Sequence, residues 1–304
     1  SQQHTNQLDP ELFPHAYNII KDAQTGRRDG ILKRPRTDPL IVHTQTSTEY
    51  WQKRGCLAHT DGKGRDLQIP DKVRIYVIAS AQHNSPFGSE PAKDDSQFLV
   101  NPLPAGDVLR ALMVAMDLWV TKNIPPPPSR YPTVKDRTLV PPTRNGFPKI
   151  PGVNFAGLHN RQLFLDYGKN ILRGKMEIHP PRPLGKAYEI LVPKVDADGN
   201  DIPGIRLPAV AVPIGTYTGW NLRPRGLAEG ELSGLLGSFL PFAKTKAQRR
   251  KNSDPRLSLE ERYKTRDDYV RRVSHAARIL VEQRYLLPED ADRIIVEARK
   301  RRLR

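Results

Sequence analysis

The sequence predicts an α/β fold built around a parallel sheet. Two short apolar runs, "PLIVHTQ" (Pro39–Gln45) and "KVRIYVIASAQH" (Lys72–His83), each lead into a helical segment. Strand, helix, strand, helix with short turns is the order that lays successive strands parallel. The second run carries Val73, Ile75, Tyr76, Val77, Ile78 and Ala79 almost without a polar break, as a strand covered on both faces requires.

Residues 1–39 read as loop and short helix, broken by Pro10, Pro14, Pro35 and Pro39. After the first strand, "STEYWQKRGCLAHT" has helical character, with Ser47 or Thr48 as its N-cap. A turn-rich stretch, "DGKGRDLQIPD", leads into the second strand, and a long loop, Asn84 to Pro104, follows it. The segment "AGDVLRALMVAMDLWVTKN" is an amphipathic helix, with Val108, Leu109, Leu112, Met113, Met116, Trp119 and Val120 on its apolar side. "IPPPPSRYP" (Ile124–Pro132) ends it, because consecutive prolines favour polyproline II over helix. This proline run is the expected boundary between a core over residues 1–132 and an extension over residues 133–304. Residues 133–187 are rich in Pro and Gly. Ala187–Trp220 reads as a β-hairpin around the turn "DADGND", and residues 258–304 read as helices opened by a capping box from Ser258 to Glu261. The Asp-x-Asp-Gly-Asn pattern of the turn lacks the closing Glu of a calcium loop, so a tight Asp/Asn/Gly turn is expected there.

The chain has 304 residues, 37% hydrophobic and 27% charged, enough for a sizeable core. No apolar run reaches the ~18 residues that a membrane span needs. The chain opens on a polar run without Met, as a mid-protein segment does. The net charge of +16 raises an anionic partner, but the basic runs "KTKAQRRK" (Lys244–Lys251) and "EARKRRLR" (Glu297–Arg304) have no aromatics among them, and nucleic acid is not expected. A single cysteine, Cys56, excludes a disulfide framework and a multi-thiolate metal site. No His-x3-His pair or His/Asp cluster has ligand spacing, and no cofactor is implied.

Parallel sheets place their sites at the carboxyl ends of the strands. Glu49 follows the first strand and His83 ends the second. Acid then histidine is the chain order of a Ser…Asp/Glu…His triad, in which the acid orients the imidazole and the imidazole takes the nucleophile's proton. Asp61 and Asp71 are alternative acids, ranked lower because they lie further from the first strand's end. His43 and His59 are read as structural. Tyr217 and Trp220, in "GTYTGW", are the candidate substrate contacts, capping the site against an apolar or aromatic acyl group.

These residues lie in long motifs that resemble a family of large bacterial proteins described as "alpha/beta hydrolase domain" proteins. The resemblance runs through "TGRRDGIL" (Thr25–Leu32), "HTQTSTEYWQKRGCLAHTDGKGRD" (His43–Asp66), "VRIYVIASAQH" (Val73–His83), "PPPPSRYP" (Pro125–Pro132), "VDADGNDIPGIRLPAVAVPIGTYTGWNLR" (Val195–Arg223) and "DPRLSLEERY" (Asp254–Tyr263). It implies an α/β-hydrolase core and hydrolysis of a small-molecule ester or related acyl bond, with Glu49 as triad acid and His83 as triad base. One departure matters: the sequence contains no G-x-S-x-G elbow. The resemblance places the nucleophile upstream of residue 1, so the chain is expected to be the C-terminal part of the hydrolase sheet and inactive alone. The rival expectation is a non-catalytic interaction module whose basic C-terminal region binds an anionic partner.

Overall fold

The computed structural model describes residues 13–83, 90–154, 157–160 and 163–303. The polar opening through residue 12, residues 84–89 of the expected loop and Arg304 lie outside the described residues.

Two parallel strands, Ile41–Thr46 and Val73–Ile78, form the centre in a register that runs from Ile41 beside Val73 to Thr46 beside Ile78. The far edge of Val73–Ile78 is covered by single parallel bridges, Tyr76 to Arg130 and Ile78 to Ile205. The proline run therefore lies along this edge, with the Ile75 N–H donating to Ser129 Oγ at 3.1 Å. Gly204 sits so close that a Cβ there would fall 2.5 Å from the Val77 carbonyl oxygen. Among the described residues, no strand pairs with the other edge of Ile41–Thr46.

Both faces of Val73–Ile78 are buried, which accounts for its unbroken apolar run. Tyr76 and Ile78 join Val108, Leu112, Ile205, Tyr217 and Leu280 in one cluster. Val77, on the opposite face, joins Tyr50, Trp51, Cys56, Leu139 and Trp220 in another. Both clusters draw on residues before and after position 132, so the two segments share their hydrophobic core.

The long helix spans Ala105–Lys122 and buries Val108, Ala111, Leu112, Ala115 and Trp119. Spacing alone put Leu109, Met113 and Val120 on the same side, but these are exposed. The alanines let the helix approach closely on one stripe, and its second apolar stripe faces outward.

The expected hairpin over Ala187–Trp220 is not formed. One antiparallel bridge, Val195 to Asp201, closes the turn, and the two arms then diverge. Val192–Pro193 pairs with Leu139–Val140, Ile205 pairs with Ile78, and Gly215–Tyr217 pairs with Ser238–Pro241. Pro193, Pro203, Pro208 and Pro213 each lack the N–H that a continuous ladder needs. The C-terminal part is helical, over Leu259–Arg262, Arg266–Glu282 and Pro288–Lys300. Ser258 and Glu261 form the reciprocal capping bonds that the sequence suggests. No helix among the described residues is long and apolar enough to cross a membrane.

Candidate functional site

The first parallel strand runs directly into the helix Ser47–Gln52, so the strand's last residue, Thr46, serves as N-cap in place of Ser47 or Thr48. Glu49 is the third residue of this helix. Its Oε2 accepts from both the backbone N–H and the hydroxyl of Thr46, which fixes the carboxylate at the sheet's carboxyl end. The second strand stops at Ile78, not at the histidine. A turn over residues 78–81 intervenes, closed by the Ala81 N–H on the Ile78 carbonyl at 3.3 Å, with Ser80 at φ +59°, and it swings His83 back towards Glu49.

The imidazole Nδ1 of His83 is hydrogen-bonded to Glu49 Oε1. An ionised carboxylate only accepts, so Nδ1 carries the proton and Nε2 is the basic nitrogen. Nε2 has no hydrogen-bond partner among the described residues, and the His83 side chain is 41% exposed against 15% for Glu49. Charge follows from this contact. The bond to Glu49 raises the His83 pKa above its ordinary value, against a smaller effect of burial. Burial alone would raise the Glu49 carboxyl, but hydrogen bonds from His83 and Thr46 outweigh it and hold the group below its usual range.

Other groups hold the pair in place. Thr48 is fully buried; its hydroxyl accepts from the His83 backbone N–H at 3.2 Å and donates to the Gly219 carbonyl at 2.8 Å. Gly219 is pressed against the start of the helix, where a Cβ would lie 2.5 Å from the Ser47 backbone carbon. The turn before His83 is clamped twice over. The Ser80 N–H donates to Asp201 Oδ2 and the Asp201 N–H to Ser80 Oγ, each at 2.7 Å. Asn101 Nδ2 donates to the carbonyls of Ser80 and Thr218. Burial raises the Asp201 carboxyl to about 6, against the bond from the Ser80 N–H.

Of the alternative acids, Asp61 accepts from the Lys63 and Arg65 backbones and the Arg65 side chain, and no hydrogen bond joins Asp61 or Asp71 to His83. His43 meets the Tyr17 hydroxyl at 2.6 Å. His59 shares a hydrogen bond with Tyr50 at 2.8 Å and is pushed down to about 3 by burial. Cys56 is buried and its thiol is pushed up to about 11. Trp220 is 2% exposed and packs edge-on against Phe147, with ring centroids 5.3 Å apart. Tyr217 is buried on the other side of the sheet's core, in the cluster with Ile78 and Leu112. The carboxylates of the "DADGND" turn have separate partners: Asp196 pairs with Arg206, Asp198 with Arg262, and Asp201 with Ser80. Thr48, Ser80, Gly219 and Asp201 were not singled out as site residues from the sequence. The motif "GTYTGW" marked Gly219's segment, but for its aromatics.

Two parallel strands that deliver a carboxylate after one and a histidine after the next define an arrangement of the α/β-hydrolase kind. The family model described as alpha/beta hydrolase domain matches residues 14–296, and the chain belongs to that family. No curated protein and no solved structure matches it.

Proposed function

We propose that this chain supplies the acid and base of a serine-type hydrolase acting on a small-molecule ester or related acyl bond. The observation that carries the reading is the His83 imidazole, tied through Nδ1 to Glu49 while Nε2 has no hydrogen-bond partner among the described residues. In this mechanism Nε2 takes the proton from a serine hydroxyl as the serine oxygen attacks the acyl carbon. The imidazolium, stabilised by Glu49, then gives that proton to the departing alkoxide. A water molecule, deprotonated at the same nitrogen, attacks the acyl-serine, and the proton returns to the serine oxygen. The serine would belong to a segment N-terminal to the sequence given, a reading supported by the lack of a G-x-S-x-G elbow and by the edge of Ile41–Thr46, with which no strand pairs among the described residues. Trp220, packed with Tyr50 and Trp51 of the helix that bears Glu49, is proposed to shape the acyl side.

The test compares the chain alone with a protein extended N-terminally, using a p-nitrophenyl ester and a fluorophosphonate probe. The extended protein should turn over and label, the chain alone should do neither, and His83→Ala in the extended protein should lower kcat by about 10⁴-fold or more. Turnover by the chain alone that is lost on His83→Ala would overturn the placement of the nucleophile. Unchanged turnover by the extended His83→Ala variant would overturn the triad.

A further inference from the structure

One well-formed concavity is not lined by Glu49 or His83. It lies between the start of the helix Ala105–Lys122, the strand Gly215–Tyr217 and the two C-terminal helices, with a volume of about 490 Å³, within the range of small-molecule sites. Leu103, Leu207, Phe239, Val273 and Ile294 give it apolar walls.

Its polar lining is uneven. Asp107, Arg110 and Arg293 form a closed network with Asp290, with contacts of 2.5 to 3.1 Å, in which two carboxylates meet two guanidinium groups. Four further polar groups line the same cleft: Glu297, paired with Arg293 at 3.4 Å, and Tyr217, Tyr269 and Arg301. Tyr217 is 3% exposed and Tyr269 5%, yet neither hydroxyl has a hydrogen-bond partner among the described residues. Both phenols border the cleft and neither oxygen is sealed off from it, so both hydroxyls can donate to a molecule bound there. The Arg301 guanidinium lies close enough to influence both phenols. Its ion pair to Glu90, at 3.2 Å, is with a side chain that is 76% exposed, an arrangement that holds little free energy.

We propose that this cleft binds a small amphiphilic monocarboxylate, with the carboxylate held by Tyr217, Tyr269 and Arg301 and the hydrocarbon body between the apolar walls. The three groups are all donors, and a carboxylate is the acceptor that satisfies them together. Its charge takes over the Arg301 guanidinium from Glu90. A neutral apolar molecule would leave the phenols unpaired, and a dianion would meet Glu297 and Asp107 on the same lining. The inference does not rest on the acyl-transfer reading, because what it claims is binding.

The experiment is isothermal titration of the whole chain with 4-phenylbutyrate and, separately, with 4-phenylbutan-1-ol, which has the same hydrocarbon body without the charge. The acid should bind saturably at one site and about tenfold or more tighter than the alcohol. Arg301→Gln should weaken the acid by about tenfold and leave the alcohol unchanged. Tyr217→Phe should weaken the acid by a smaller factor, with the circular dichroism spectrum of each variant matching that of the parent. No saturable binding of the acid, equal binding of acid and alcohol, or acid binding indifferent to Arg301→Gln would each overturn the proposal.

Discussion

Replacing Thr48 with valine tests how the acid–base pair is held. The side chain is fully buried, and valine fills nearly the same volume, so no cavity opens. The loss is one of hydrogen bonds. The Gly219 carbonyl, which accepts from the hydroxyl at 2.8 Å, is left buried without that donor at a cost of about 1–3 kcal/mol. The His83 N–H, bonded at 3.2 Å in a half-buried position, adds about 0.5–1 kcal/mol. Thr48→Val should therefore destabilise the protein by about 1.5–4 kcal/mol. With a urea slope of about 3 kcal/mol/M the midpoint falls by about 1 M, which the fluorescence of the buried Trp51 and Trp220 would report. Thr48→Ser keeps the hydroxyl and deletes one methyl group, for about 1 kcal/mol. If the valine variant proved no less stable than the serine variant, the bridge from Gly219 to His83 would not be holding the site together.

Three further substitutions have expected outcomes. Glu49→Gln removes the charge that raises the His83 pKa, so a histidine NMR titration should find the imidazole titrating at lower pH; an unmoved titration would remove Glu49 from the pair. The same ion pair contributes stability above the ordinary Glu value of 4.5, and this contribution is lost as pH rises through the raised His83 value, so the stability gap between parent and variant should be widest between about pH 4.5 and 6.5. Asp201 has an ordinary value of 3.8 raised to about 6, so its contribution is present below 3.8 and is lost as pH rises through about 6. Asp201→Asn should gain on the parent by up to about 3 kcal/mol across that window, and a difference flat with pH would contradict the burial of a charged group there. Gly219→Ala drives a methyl to 2.5 Å from Ser47; overpacking of this kind costs about 1–3 kcal/mol, and an unchanged Tm would show that the helix start has room to move.

Both parallel strands and the acid–histidine order could be read from the sequence, because a strand buried on two faces leaves an unbroken apolar run and sites collect at strand ends. The reading placed His83 at the strand's tip, whereas the strand stops at Ile78. A residue at φ +59° such as Ser80 leaves no mark when it is not glycine. The clamp on the turn was not legible, because Ser80 and Asp201 are 121 positions apart and Thr48 and Gly219 are 171 apart. Local pattern carries no record of such pairs. The "DADGND" turn was recognised by its composition, but the diverging arms were not. Pro193, Pro203, Pro208 and Pro213 stop a ladder from forming there, just as Pro125–Pro128 stop the long helix. The long helix has apolar residues on two sides, so periodicity alone could not choose the stripe that the alanines let approach the core.

The bridge from Thr48 to Gly219 also bears on the order of folding. Closing a loop of that length is slow and entropically costly compared with forming the local helix that carries Glu49. The two strands and the capped helix can form early from contacts within the first 80 residues. The turn bearing His83 gains its clamps only when the segment around Asp201 and Gly219 has docked. In that order the acid is in place before the histidine is, and assembly of the pair reports that the segment around Asp201 and Gly219 has docked.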